Sequence, residues 1–300
     1  MKRTFVDRDP GVLRPWLARD GALVRLRLVG GAISSASLRA VAEIAADLAD
    51  PHIHLTSRAN LQLRSMDHVE GSLPDDLVSR IARTGLFPSP SHDLVRNILV
   101  SPLTGRLGGR ADLRPVARAL DLALRADPEL AGLPGLFWFS LDDGRGDVAA
   151  RSLDVGLFAL DAETAQIRVG SQRWEATLAL DEAPEAMLEL ARRFQLVRGI
   201  GNTALWHVDE LPAKGLELLD NEHERDARTH AVADPPPFGR LGQDDGREML
   251  HIEVPDGALS PELALEIAEL APDLVLTPWR SVLVPDLDDG SHVRALLPLP

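Results

Sequence analysis

The sequence predicts an α+β protein in which two copies of one small sheet-and-helix module flank a separate α/β domain. Three observations carry this. Residues 22–64 and 248–287 repeat the same order of strand, helix, strand and strand, about 226 residues apart. The region between them has its own alternation of apolar strands and amphipathic helices. Proline-rich punctuation, Pro88-Ser89-Pro90-Ser91 on one side and Ala233-Asp234-Pro235-Pro236-Pro237 on the other, separates it from the two copies. The expected boundaries are 1–85, 86–230 and 231–300.

The first copy opens with Ala22-Leu23-Val24-Arg25-Leu26-Arg27-Leu28, alternating apolar and basic residues as a half-buried strand does. Gly30-Gly31-Ala32-Ile33-Ser34 turns the chain. A serine cap leads into a helix over 37–48, with Leu38, Val41, Ile44, Ala45 and Leu48 on one face. His52 to Thr56 and Leu61 to Arg64 read as strands. In the second copy Met249 to Val254 alternates in the same way. Gly257-Ala258-Leu259-Ser260 stands where the first copy has Gly31-Ala32-Ile33-Ser34. Pro261 suits a first helical turn, because its missing N–H has no partner there anyway. Leu274 to Thr277 and Val282 to Val284 complete the copy.

In the middle region, strands are expected at 95–100, 136–141, 155–160 and 167–169, and helices at 114–124 and 183–195. Asn221 to His230 reads as a charged linker.

The 300 residues carry a net charge of −14, which argues against a nucleic-acid coat. No apolar run reaches the roughly 20 residues that span a bilayer, and Met1 to Asp9 has no apolar signal core. The reading is a cytoplasmic protein without membrane or nucleic-acid partners. Lys2 and Lys214 are the only lysines, and there is no cysteine. This chain therefore supplies no disulfide, no thiol nucleophile and no cysteine ligand for an iron–sulfur cluster.

Two segments hold candidate binding residues. In Leu55-Thr56-Ser57-Arg58-Ala59-Asn60-Leu61-Gln62-Leu63-Arg64, Arg58 leaves a strand end while Gln62 and Arg64 share a face of the next strand. This arrangement fits either an anion site or polar side chains on a wet sheet face. In Arg96-Asn97-Ile98-Leu99-Val100-Ser101-Pro102, Arg96 and Asn97 head an apolar strand and are open to the same two readings. Gly105 to Arg110 lacks the ending of a phosphate loop. Asp142-Asp143-Gly144-Arg145-Gly146-Asp147 lacks the register of a calcium loop and reads as a hairpin. Glu222, His223, Glu224, Asp226 and His230 lack metal-ligand spacing, and no metal site is assigned. His52 and His54 share a strand face, where a metal pair or plain strand-edge histidines both fit.

Taken together, these blocks resemble the nitrite/sulfite reductase haemoprotein family, closest to its precorrin-3B synthase branch. The resemblance runs through His54 to Arg64, Arg96 to Leu103, Phe137-Trp138-Phe139 with Asp142 to Asp147, Asp154 to Leu157 and Leu276 to Arg280. It implies two ferredoxin-like half-domains around a central sirohaem-binding-type domain. It places Arg58, Gln62 and Arg96 at a tetrapyrrole and anion site, with Thr56, Arg64 and Asn97 in support, and Arg58 and Arg96 as catalytic residues if the protein is active. The implied ligand is sirohaem, a related anionic tetrapyrrole or a small oxyanion, and the implied activity is an oxidoreductase of tetrapyrrole and cobalamin metabolism. The family's cluster cysteines follow the second half-domain, so the resemblance implies a chain stopping short of them at Leu296 to Pro300 and completed by a cluster-bearing partner. The family's lysine in its Leu-Pro-x-Lys-Phe strand is Leu136 here. A non-catalytic tetrapyrrole-binding protein or a degenerate pseudoenzyme of the same fold is the alternative.

Overall fold

The computed structural model describes residues 7, 9–151 and 153–287. Two compact units emerge among the described residues: 10–93 with 235–287, and 7 and 9 with 94–151 and 153–234. Both sequence copies thus fall in one unit and the middle region forms the other.

The first copy begins with a hairpin of β1 (Trp16–Ala18) and β2 (Gly21–Leu26). β3 (Ala32–Ser34) leads into α1 (Ser35–Ala46), followed by β4 (Ile53–Leu55), β5 (Leu61–Met66) and α2 (Asp75–Arg83). α1 starts earlier than the apolar periodicity suggests, because Ser34 is its cap and accepts the Ser37 N–H at 3.0 Å. Of its expected face, Leu38, Val41, Ile44 and Ala45 are buried, while the helix ends at Ala46 and Leu48 lies beyond it, half-buried. Ala22, Val24 and Leu26 of β2, Ile53 and Leu55 of β4, and Leu61 and Leu63 of β5 belong to the same core. The α2 helix was not anticipated. Only Leu77 and Ile81 of its residues are buried, too few to show a period, although Asp75 and Asp76 at its start and Arg80 and Arg83 at its end complement the helix dipole.

The middle unit is a five-stranded sheet of β6 (Ile98–Val100), β7 (Phe139–Asp142), β8 (Val155–Ala159), β9 (Thr164–Val169) and β10 (Arg173–Ala179), side by side in chain order. β6, β7 and β8 are parallel, and β9 and β10 continue antiparallel. α3 (Arg114–Ala126) and α4 (Ala183–Val197) pack together and against the sheet. Phe137 is central to this core, with ring centroids 5.3 Å from Phe139 and 5.1 Å from Phe194 of α4. Three expectations need correcting. The strand expected over 136–141 starts only at Phe139, because Phe137 N–H closes a turn on Pro134 O at 3.0 Å. The strand expected over 95–100 starts only at Ile98, whose N–H is turned onto Arg96 O. The Asp142–Asp147 segment is not a hairpin: β7 and β8 are parallel, so the chain must cross back to the starting end. Gln166, buried at 2%, pins the charged 221–230 segment to this sheet by accepting the Asp226 N–H at 2.9 Å and donating to Glu224 O at 2.8 Å.

The second copy contains β11 (Gly239–Gly242), β12 (Glu248–Ile252), β13 (Ala258–Leu259), α5 (Pro261–Ala268), β14 (Asp273–Leu276) and β15 (Val282–Leu287). The two copies exchange a strand. The first sheet runs β1-β2-β5-β4-β13 and the second β11-β12-β15-β14-β3. Leu259 pairs with Ile53, and Leu274 pairs with Ile33. Each short strand lies just before its own helix, so α1 and α5 are drawn together and share one core. Arg39 of α1 seals the seam, donating to Glu269 Oε1 at 2.6 Å and to Ala268 O at 2.8 Å.

The exchange demands close approach of backbones. Gly31 (φ +73°) lies where any Cβ would overlap the carbonyl of Leu276, and the equivalent Gly257 (φ +68°) sits over Leu55 O. Replacing Gly31 by alanine adds left-handed strain to a clash with backbone. Gly31→Ala is expected to cost about 2 kcal/mol or more in urea unfolding. Gly242→Ala, with nothing within 4 Å of the added Cβ, is expected to change stability by less than about 0.5 kcal/mol.

Candidate functional site

Because strand side chains alternate, burying Val24, Leu26, Ile53, Leu55, Leu61 and Leu63 under the helices turns Arg25, His54, Gln62 and Arg64 to the other face of the first sheet. Register lines three of them up. Gln62 is opposite Arg25 on one side and opposite His54 on the other, and His54 is opposite Ala258 of the exchanged strand. Side chains directly opposite on one face are in contact range, so Arg25, Gln62 and His54 make a continuous half-buried polar row. Among the described residues the Gln62 amide and the exposed Arg64 guanidinium make no hydrogen bond, which leaves them available to a ligand.

Thr56 to Asn60 is a tight turn at the end of this row. Thr56 Oγ1 accepts the N–H groups of Asn60 at 3.0 Å and Arg58 at 3.3 Å. Ala59 takes a left-handed φ of 55°. Asn60 is buried, and its Oδ1 accepts the Leu28 N–H at 2.8 Å. Thr56 thus shapes the turn that carries the half-buried Arg58. The second copy builds the same turn with Thr277 and Ser281, with Arg280 at φ 62°, but has Trp279 where the first has Arg58.

The equivalent row of the second sheet is chemically different. His251, Leu283, Val275 and Ala32 stand in the places of Arg25, Gln62, His54 and Ala258. His251, Leu283 and Val275 are buried. His251 is locked between Ser281 Oγ at 2.6 Å and the carbonyl oxygens of Pro236 and Pro237 at 3.1 Å, and burial lowers its pKa. Among the described residues, a half-buried polar row of this kind exists on the first copy alone.

Arg96 and Asn97 lie in the middle unit and are buried. Arg96 Nε is 2.6 Å from Asp121 Oδ1, and Asp121 Oδ2 also accepts from Arg125 at 2.9 Å. Asn97 Nδ2 donates to Leu94 O and Gly135 O at 3.0 and 2.9 Å. These contacts tie α3 and the 133–137 turn to the head of β6. The sequence showed an arginine and an asparagine at a strand start, without the internal partners that engage them.

Among the described residues, one group of three acidic, histidine or cysteine side chains is close enough to share an ion: Asp142, Asp143 and Asp147. Its oxygens are largely occupied. Asp142 accepts the N–H groups of Gly144, Gly146 and Val148 at 2.9, 2.9 and 3.3 Å. Asp147 accepts from Ser101 Oγ at 2.6 Å and Arg145 Nη2 at 2.7 Å. Asp143 Oδ1 meets Arg145 Nε at 3.2 Å, while its Oδ2 is buried without a hydrogen-bond partner. The crossover between β7 and β8 is therefore shaped by an internal charge network. Burial pushes the Asp143 carboxyl up to about 6, with Arg145 opposing and Asp147 and Asp142 adding to the rise.

β2, β4 and β5 of the first-half sheet fall within the segment that matches a known family model. Residues 17–70 match the family model described as the nitrite/sulfite reductase ferredoxin-like half domain. The fold as a whole is similar to the solved structure of the NirA protein of Mycobacterium tuberculosis, with a TM-score of 0.66 and 18% sequence identity. The similarity covers 97% of this chain and 61% of that one, so the chain spans less than two thirds of its length. No curated protein matches the sequence. No helix among the described residues is long and apolar enough to cross a membrane.

The Asp143 carboxyl gives stability a pH dependence of definite sign. A folded pKa near 6, above that of the unfolded chain, means that the native state holds an extra proton between about pH 4 and 6. The stabilisation is complete below about 4 and is lost as pH rises through about 6. The carboxylates of Asp226 and Asp245, lowered to about 2 by their arginine partners, act only below that window. Asp143→Asn should flatten the decline measured by urea unfolding between about pH 4 and 7, and raise stability at pH 7 by on the order of 2 kcal/mol.

Proposed function

We propose that this chain, which has the fold of the nitrite/sulfite reductases and a ferredoxin-like half domain of that type in residues 17–70, binds an anionic tetrapyrrole on the first-half sheet. The reading extends to an oxidoreductase of tetrapyrrole metabolism, in the manner of a precorrin-3B synthase or a sirohaem reductase. One observation carries it: two copies of the same sheet differ in one row, Arg25–Gln62–His54 against His251–Leu283–Val275. A structural duty shared by both sheets does not account for polar residues on one of them.

The residues fit such a ligand. Sirohaem and precorrins carry several carboxylates, and a guanidinium fork binds a carboxylate through two parallel hydrogen bonds. Arg58 on its Thr56-shaped turn, Arg64 beyond the row and the Gln62 amide would hold the carboxylates. Arg25 would add positive charge at one end of the row, beside Gln62. Arg96 supports the middle unit through Asp121 and is assigned no direct contact. When bound, sirohaem supplies a redox-active iron. Electrons are assigned to a partner protein carrying an iron–sulfur cluster, since none of the 300 residues is a cysteine. The same absence, with Leu136 in place of a lysine, favours a second reading in which the chain binds a tetrapyrrole without turning it over.

Titrating the purified protein with sirohaem and following the Soret band tests binding. Saturable binding is expected, and an Arg58→Ala/Arg64→Ala variant should lose at least about tenfold in affinity. Equal binding by the variant, or none by the wild type, removes the assignment. Arg96→Ala should instead cost stability, roughly 3 kcal/mol in urea unfolding, because Asp121 loses its closest partner in a buried pair. Turnover on adding a reductant and a cluster-bearing partner separates the enzyme from the carrier.

A further inference from the structure

We propose that His54, oriented by Asp50, is a proton-dependent contact of the anion row, so that a polycarboxylate ligand is taken up together with a proton. The inference rests on the reading that this face binds an anion, and it adds a regulatory property to that site. His54 sits directly opposite Gln62, one strand from the centre of the row. Its Nε2 lies 2.7 Å from Asp50 Oδ2, and the other oxygen of Asp50 lies 3.1 Å from His52 Nδ1. Asp50 also accepts the His52 backbone N–H at 3.2 Å. Burial alone would raise the Asp50 carboxyl, but the hydrogen bonds from His54 and His52 outweigh it and hold it below the ordinary carboxylate range. Asp50 is therefore an ionised carboxylate that fixes the ring of His54 through Nε2. Protonation then makes Nδ1 a second donor.

The groups around His54 set the sign. Asp50, from the loop before β4, stabilises an imidazolium. Arg25 and Arg64 on the same sheet face oppose it, as does any charge on neighbouring His52. Gln62 and Ala258, the residues paired with His54, carry no charge. Beyond His52 lies Glu262, whose carboxyl senses that ring. A bound polyanion neutralises the opposing arginines and adds negative charge beside the ring, so ligand and proton favour each other. Linkage makes the effect reciprocal: the ligand raises the ring's proton affinity, and acidification raises ligand affinity. The second copy lacks the arrangement, with Val275 in the place of His54.

Uroporphyrin, a metal-free octacarboxylate porphyrin, is the probe, with affinity measured by fluorescence quenching from about pH 6 to 8.5. Wild-type affinity should fall about tenfold in all as histidine loses its proton, with a net uptake that peaks at about half a proton per ligand. His54→Gln should bind with the weaker, alkaline affinity throughout and lose the slope. Asp50→Asn should keep the slope but move its midpoint to lower pH, which a purely structural role for Asp50 would not do. The His54 Cε1 proton resonance, followed by NMR in the wild type with and without uroporphyrin, should titrate at higher pH in the complex. This measurement stands even if the His54 variant does not fold. An unchanged slope in His54→Gln, or a His54 resonance indifferent to ligand, overturns the proposal while leaving the anion site intact. Absence of saturable binding at every pH, or equal binding by Arg58→Ala/Arg64→Ala, overturns the anion site and this proposal with it.

Discussion

Everything in the unit formed by the two copies depends on a reciprocal exchange of backbone hydrogen bonds. β13 completes the first sheet and β3 completes the second. Neither donated strand is longer than three residues, so neither could pair stably alone. Each is held because it is continuous with a capped helix whose apolar face is buried in the common core. Ser34 and Ser260 start those helices in the same way, each accepting an N–H from three residues ahead. The two glycines that allow the backbones to cross are the cost of this closeness, since a side chain would overlap the Leu276 carbonyl at Gly31 and crowd the Arg280 side chain at Gly257.

A duplicated scaffold held together in this way leaves the outer faces of its sheets unequal in what they must do. The inward residues of both copies are constrained by one core, and they match in type: Val24 and Leu26 against Leu250 and Ile252, Leu61 and Leu63 against Val282 and Val284. The outward rows carry no shared constraint and have diverged to opposite chemistries. Divergence on a shared frame separates a half-buried polar row from a buried packing row more cleanly than the composition of either sheet alone.

Much of the frame could be read from residues. The repeat, the serine caps and the faces of α1 and α5 follow from local chemistry: alternation at period two, apolar spacing near 3.6 and a hydroxyl ahead of each of those two helices. What could not be read was pairing between distant segments. The exchange of β3 and β13 involves strands of two or three residues, below any periodic signal. The parallel relation of β7 and β8 is a property of the sheet, and Asp142 to Asp147 alone looks like a turn. For the site, Gln62 and Arg64 could be placed on one face from their spacing, and His52 and His54 likewise. That Arg25, Gln62 and His54 form one row needed the register of three strands. Conversely, the residues around Arg96 and Asn97 do not reveal the Asp121 carboxylate and Gly135 carbonyl that engage them, 25 and 38 residues further on.

The exchange also sets a schedule for the growing chain. When the first copy leaves the ribosome, the free edge of β4 has no neighbour, and the strand that will cover it lies beyond the whole middle unit. For the time taken to synthesise roughly 200 residues, on the order of 10–40 s, an unpaired strand edge and a half-covered helix wait for partners not yet made. The intervening unit can complete its own core within that time, since its sheet joins strands in chain order. Final assembly of the outer halves is thus a late, long-range step, and the interval before it is when the nascent protein is most exposed to mispairing with another copy of itself.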